Sequence, residues 1–303
     1  QDDETLALLS IDNRHDGLFT IDVRIVAPTI SQARARAQHF RSIFPPREAA
    51  TDTETSVSFW YMTSHGPNSL SRAISVQGWD DIKGNYPKTV TAPFDRLIAW
   101  RSPPPESMGK LILLHGLPGA GKTYAIRSLL DAWRDWCDAD YITDPEVFFG
   151  EAGYLLQVML GRGEAAVAVG ESRREPRYKL LLIEDAGELL VADARQHRGQ
   201  SLSRLLNLSD GMIGQGMRVL IIVTTNEDLG KFHPAISRPG RCAVNIEFSS
   251  LNSTEVEQWR MNHGLPLHPR EPRSLADLYG ELAGHESIQT GHRENGVPFG
   301  LGL

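Results

Sequence analysis

Cysteine is nearly absent from this sequence. Cys137 and Cys242 are its two examples, far apart and without a second Cys or a His at metal-ligand spacing. A disulfide framework and a zinc centre are therefore not expected, and the setting indicated is reducing and cytoplasmic. Long apolar runs are missing too, none approaching the roughly 20 residues of a membrane helix. Nor is there a basic surplus. Lys and Arg number 31 against 38 Asp and Glu, a formal net charge of -7, whereas a nucleic-acid binder draws its non-specific affinity from neutralising phosphates. The first residues, Gln1-Asp2-Asp3-Glu4, are acidic where a secretory leader is basic. No internal repeat is evident. What is present is a globular composition, 41% hydrophobic and 23% charged, over a length that suits one large domain or two modest ones.

Periodicity divides the chain. Residues 17–27 (GLFTIDVRIVA) alternate apolar and polar side chains, the period of a half-buried strand. Residues 30–44 form an amphipathic helical pattern closed by Pro45-Pro46. Residues 56–63 and 71–79 read as two strands joined through a Gly-Pro-Asn-Ser loop. This β-α-β-β segment, residues 1–78, reads as a small α+β domain without a catalytic pattern. From Trp79 onward, short continuous apolar strands at 110–115, 140–143, 179–183 and 218–224 alternate with helical stretches. Runs of that kind belong in a buried parallel sheet. Two helical patterns, 253–263 and 274–283, follow residue 251, and then a Gly-rich tail ending PFGLGL.

The sharpest motif is Gly116-Leu117-Pro118-Gly119-Ala120-Gly121-Lys122-Thr123, a complete G-x-x-x-x-G-K-T between an apolar strand and a helix. Glycines let successive backbone N–H groups curve around phosphate oxygens, and the helix N-terminus adds favourable partial charge. Pro118, Gly119, Ala120, Gly121, Lys122, Thr123 and the following Tyr124 thus form the expected nucleotide-binding segment. Lys122 is expected to reach the β- and γ-phosphates of ATP and the Thr123 hydroxyl to bind Mg²⁺. Such a site also needs an acid at the end of a neighbouring buried strand. Residues 179–185 (KLLLIED) supply Glu184 and Asp185 there. The expected architecture is an α/β P-loop NTPase core, a parallel sheet flanked by helices.

From this point the residues resemble the AAA ATPase family, in its substrate-remodelling branch. Trp79-Asp80-Asp81-Ile82-Lys83-Gly84 is similar to the family's W-D-D-I-G-G opening segment. The resemblance implies an adenine pocket lined by the backbone around Asp81, Ile82 and Gly84. Leu205-Leu206-Asn207-Leu208-Ser209-Asp210-Gly211 resembles its L-L-N-x-x-D-G helix, and Thr224-Thr225-Asn226 puts Asn226 at its sensor-1 asparagine. Residues 233–241 (HPAISRPGR) resemble D-P-A-x-x-R-x-G-R, which implies that Arg238 and Arg241 are fingers serving a neighbouring subunit. Phe148-Phe149-Gly150 stands where the family has a pore-facing aromatic triplet, although phenylalanine more often fills a core.

The resemblance covers most of residues 79–250 and implies an ATPase core. It also implies a ring of copies, six in the family, that remodels or threads a protein partner selected by residues 1–78. Residues 251–303 then form a shortened helical lid and tail. The chain departs from the pattern in ending its acidic strand Glu184-Asp185 rather than Asp-Glu. It has His233 for the family's Asp, Cys242-Ala243 for Phe-Asp, and a Gly-, Arg- and Glu-rich insertion at 161–177. Position by position, Glu184 takes the metal and Asp185 the water. Two other readings stand beside the motor: a nucleotide-controlled scaffold with little hydrolysis, and a DNA-acting helper, which the acidic composition disfavours.

Overall fold

The computed structural model describes residues 5–13, 19–44, 53–105, 108–160, 177–187, 218–227, 240–266 and 271–284. Arg238, His233, the 205–211 helix, residues 161–176 of the insertion and the tail lie outside the described residues.

Three mostly apolar strands, LILLHG, YKLLLI and VLIIVTT, build the centre. Strands β5 (Leu111–Gly116), β6 (Cys137–Ile142), β7 (Tyr178–Ile183), β8 (Val219–Thr225) and β9 (Cys242–Phe248) pair in parallel, in the order β6-β7-β8-β5-β9. Successive side chains on a strand point to opposite faces. Ile112, Leu114, Leu180, Leu182, Leu220 and Ile222 therefore join one core, and Leu111, Leu113, Leu181, Ile183, Ile221 and Val223 the other. The first core is covered by α3 (Lys88–Ile98), α4 (Lys122–Trp133) and α7 (Ser253–Asn262), which contribute Phe94, Leu129, Trp133 and Trp259. The second is covered by α5 (Pro145–Gly150) and α6 (Ala152–Leu160). This is the α/β P-loop architecture.

The boundary expected at residue 78 is not a boundary of the sheet. Strands β3 (Glu54–Thr63) and β4 (Gly66–Ser75) form an antiparallel hairpin, and β3 pairs in parallel with β6 from Val57↔Ala139 to Trp60↔Ile142. Among the described residues the sheet thus has seven strands. A buried hydrogen bond from Trp60 Nε1 to Asp140 Oδ1, 3.0 Å, ties the hairpin to β6. The second expected strand stops at Ser75, because Trp79 begins α2 (Trp79–Ile82) and buries its ring, with Nε1 donating to Asp95 Oδ1 at 2.6 Å. The remaining N-terminal elements are β1 (Leu6–Asn13) and β2 (Phe19–Val26), a separate two-stranded sheet, and α1 (Ile30–Ile43).

The pore reading of Phe148-Phe149-Gly150 is overturned. Both rings sit on α5 and are 0% and 1% exposed, packed edge-to-face on each other and, for Phe148, on Tyr154. Tyr154 in turn donates its hydroxyl to Asp144 Oδ1 at 3.1 Å. Gly150 is the last residue of α5. Burying two phenylalanines against a sheet face outweighs any gain from leaving them in water, so they are core. Phe148→Ala is expected to cost about 3 to 5 kcal/mol of unfolding free energy in denaturant titration. A pore-facing ring would leave stability near wild type.

The C-terminal helices are fixed by their caps. Asn252 caps α7 in a reciprocal pair with Glu255, and Ser274 caps α8 (Leu275–Leu282) with Asp277. An isolated bridge between Leu251 and Arg273 closes the segment between them. That closure delivers the start of α8 to the end of β5.

Candidate functional site

In open parallel sheets, ligand sites form beyond the carboxyl ends of the strands, where the strand order reverses. Here β5, β7 and β8 end together, and a cavity of about 950 Å³ opens at that end. Pro118, Gly119, Ala120, Gly121, Lys122, Thr123 and Tyr124 line it, with Glu184, Asp185 and Asn226.

The loop after β5 needs its glycines. Gly119 and Gly121 have φ of +75° and +87°, a region costly for residues with a Cβ. A Cβ on Gly121 would meet Tyr86 Cε1 at 2.8 Å, and one on Gly119 would meet Ala276 Cβ at 2.8 Å. Gly121 is the N-cap of α4, so the first free N–H groups of a 12-residue helix face the cavity.

Two hydrogen-bonded chains meet in front of this loop. Lys122 Nζ donates to Gly116 O (2.7 Å), Leu117 O (3.0 Å) and Asn226 Oδ1 (2.9 Å). Asn226 Nδ2 donates onward to Asp185 Oδ1 at 3.2 Å. Burial lowers the pKa of Lys122, against the opposing pull of Asp185 and Glu184. In the second chain, Thr123 Oγ1 donates to Glu184 Oε1 at 2.7 Å, and Tyr141 from β6 hydrogen-bonds the same carboxylate. Burial, with Glu184 beside it, pushes the Tyr141 phenol up to about 12.

Asp185 is the one described residue other than glycine with a positive φ, +54°. Left-handed backbone outside glycine stores strain and collects at functional sites. Its N–H donates to Thr224 Oγ1 at 3.1 Å, which holds the turn. A hydroxyl and a carboxylate 2.7 Å apart are hard oxygen donors, and they fit Mg²⁺, which takes one or two protein oxygens and completes its shell with phosphates and water.

Not every expected residue arrives here. Ile82 lines the cavity, whereas Asp81 and Gly84 are exposed and off it. Arg241 stands at the far end of the sheet: its carbonyl accepts from the N–H groups of Lys110 and Leu111, at the start of β5. Six residues of strand separate that point from the loop, roughly 20 Å.

Other residues line the cavity without a motif to announce them: Asn85, Tyr86, Leu275, Ala276 and Tyr279. Tyr86 donates its hydroxyl to Gly121 O at 2.9 Å, and Ala276 N–H donates to Gly119 O at 2.9 Å. The start of α8 thus docks on the loop through backbone and apolar contacts.

A profile of the family described as "ATPase family associated with various cellular activities (AAA)" matches residues 112–250. Residues 112–250 form an AAA domain. A second profile, a domain of unknown function (DUF5925), matches residues 13–99. The chain is 29% identical over 141 residues to the ATPase family gene 2 protein of Saccharomyces cerevisiae, covering 45% of this chain and 16% of that protein. It is 28% identical over 194 residues to Protein SAV of Sulfolobus acidocaldarius, covering 58% of this chain and 22% of that protein. The chain therefore spans less than a quarter of either relative. Among solved structures, a chain of the E. coli MS115-1 HORMA:CdnC:Trip13 complex aligns with a TM-score of 0.39 at 21% identity, over 56% of this chain and 57% of that one. The AAA domain accounts for strands β5 to β9 and for the nucleotide-binding class of the loop. No described helix is long and apolar enough to cross a membrane.

Proposed function

We propose that this AAA domain binds ATP with Mg²⁺ at the cavity and hydrolyses it, in an assembly where one copy completes the site of the next. The observation that carries the proposal is the convergence of Lys122, Thr123, Glu184, Asp185 and Asn226 on one helix N-terminus. Lys122 and the free N–H groups of α4 hold the β- and γ-phosphates. Thr123 and Glu184 hold the ion, which when bound neutralises charge developing on the phosphate oxygens. Asp185 accepts the proton of the attacking water, and Asn226 orients it. Phosphoryl transfer asks little more of a protein than positioning and charge.

Arg241 supports the shared-site part of the reading. An arginine roughly 20 Å of strand from its own phosphate loop serves another copy's nucleotide or none. The test is the steady-state ATPase rate against protein concentration, for wild type and Arg241→Ala. The rate per chain is expected to climb with concentration and to fall about 10³-fold or more in the variant. A rate independent of concentration and untouched by Arg241→Ala would falsify the shared site.

We assign partner selection to β1, β2 and α1, where Leu6, Leu8 and Val26 are 73%, 65% and 67% exposed on a separate small sheet. With Phe148 and Phe149 in the core, threading has no aromatic grip at those positions. A second reading, a nucleotide-controlled switch, is favoured by the same burial and by the short acid at Asp185. It predicts tight ATP binding with negligible turnover at every concentration.

A further inference from the structure

The AAA core explains the phosphate end of the cavity but leaves its other wall unassigned. That wall holds Asn85, half-buried between α2 and α3. Its amide is held from the C-terminal helices. Trp259 Nε1 in α7 donates to Asn85 Oδ1 at 2.8 Å, and the Tyr279 hydroxyl of α8 lies beside the same amide. Trp259 has no freedom to release it: the ring is 1% exposed, stacked on His263 at 3.8 Å and edge-on to Tyr279.

A primary amide offers two oxygen lone pairs and two N–H groups. Trp259 uses one lone pair. One acceptor position and at least one donor remain on the amide. Because the indole can only donate, turning the amide over would set N–H against N–H. The order of the remaining acceptor and donor is therefore locked.

That order decides which purine is matched. Adenine presents its N6 amino group as donor with an acceptor nitrogen on either side, N1 or N7, so once the sugar and phosphates set which way the base faces, the locked pair matches one of these edges. Guanine presents two acceptors, O6 and N7, along the major-groove edge. Its other edge places a donor at N1 beside the O6 acceptor, the reverse of the adenine order. A fixed amide set for adenine meets guanine acceptor to acceptor, whereas an amide free to turn would serve both.

We infer that Asn85 is the base-selecting residue of this site, reading a 6-aminopurine nucleotide, and that Trp259 is the positioning residue that fixes its amide. The inference rests on the proposed nucleotide site. It also makes the lid a participant in selection, since a base seated on Asn85 is held by the side chain that α7 and α8 grip.

The experiment is isothermal titration of ATP and of GTP into the full chain, for wild type, Asn85→Leu and Trp259→Phe, with thermal melts alongside. Wild type is expected to prefer ATP by roughly tenfold or more, the discrimination typical of a bidentate amide contact. Asn85→Leu should bring the two affinities to within about twofold while both nucleotides still bind through their phosphates. Trp259→Phe should raise the relative affinity for GTP by about threefold or more, because the amide can then turn over. A purely structural role for Trp259 would weaken both nucleotides equally and overturn the positioning part. An ATP preference unchanged in Asn85→Leu overturns the inference while leaving the nucleotide site standing. A wild-type chain that binds neither nucleotide overturns both.

Discussion

Lys122→Ala is expected to weaken ATP binding by roughly 100-fold or more, measured by titration calorimetry against wild type. Each charge-assisted hydrogen bond contributes about 1.5 to 3 kcal/mol, and the lysine addresses two phosphates. Its ammonium is half-buried in a ring of acceptors made by Gly116, Leu117 and Asn226, so it is aimed before any ligand arrives. Nothing else in the loop carries charge. Truncation leaves two backbone carbonyls facing an open cavity that water can enter, so the melting midpoint should stay near wild type. An unchanged ATP affinity would sink the phosphate-loop assignment outright.

Asp185→Asn is expected to keep ATP bound within a few-fold and to slow hydrolysis by on the order of 10²- to 10⁴-fold, the range for loss of a general base. The substitution suits the position. Asparagine tolerates left-handed backbone as aspartate does, so the strained turn at φ +54° survives. The amide can still meet Asn226, but it cannot accept a proton from water. Single-turnover kinetics separates chemistry from binding. Glu184→Gln should instead weaken the Mg²⁺ dependence, since Glu184 is the acid joined to Thr123. If Glu184→Gln, and not Asp185→Asn, gives tight binding without turnover, the two acids have exchanged roles.

Much of the site was legible because it is built from consecutive residues. The loop 116–123 spells out its own geometry, with glycines at the positions of positive φ and Lys-Thr opening the helix. The acids could be found because carboxylates leaving a fully apolar strand demand an explanation. Asn226 came from resemblance alone, and its place between Lys122 and Asp185 is consistent with the position inferred.

Elsewhere the sequence misled, for reasons that can be named. Phe148 and Phe149 carry no periodicity that separates a pore from a core, and it is their burial against Tyr154 that makes them core. The alternation in β3 and β4 announces a hairpin, and a hairpin they are. What alternation does not encode is the partner on the far side, and β6 pairs with β3 through backbone groups common to every residue. Leu275 and Ala276 reach the loop for a similar reason: the contact is one amide on one carbonyl, with two small surfaces in van der Waals touch. Asn85 and Trp259 are 174 positions apart, joined by a single side-chain bond, and no local pattern links them.

The seven-stranded sheet bears on how such a chain is inherited. Two sequence families meet between residues 99 and 112, yet Trp79, Tyr86, Val90 and Phe94 from the first share one core with Ile112, Leu114 and Phe248 from the second. Recombination that cut at this seam would leave both pieces with a raw hydrophobic face, and the AAA piece without Ile82, Asn85 and Tyr86 from its cavity wall. In this chain the two regions share one core, so neither is packed on its own. Whatever the first region evolved to do, part of its work is to supply one wall of the cavity at the phosphate loop.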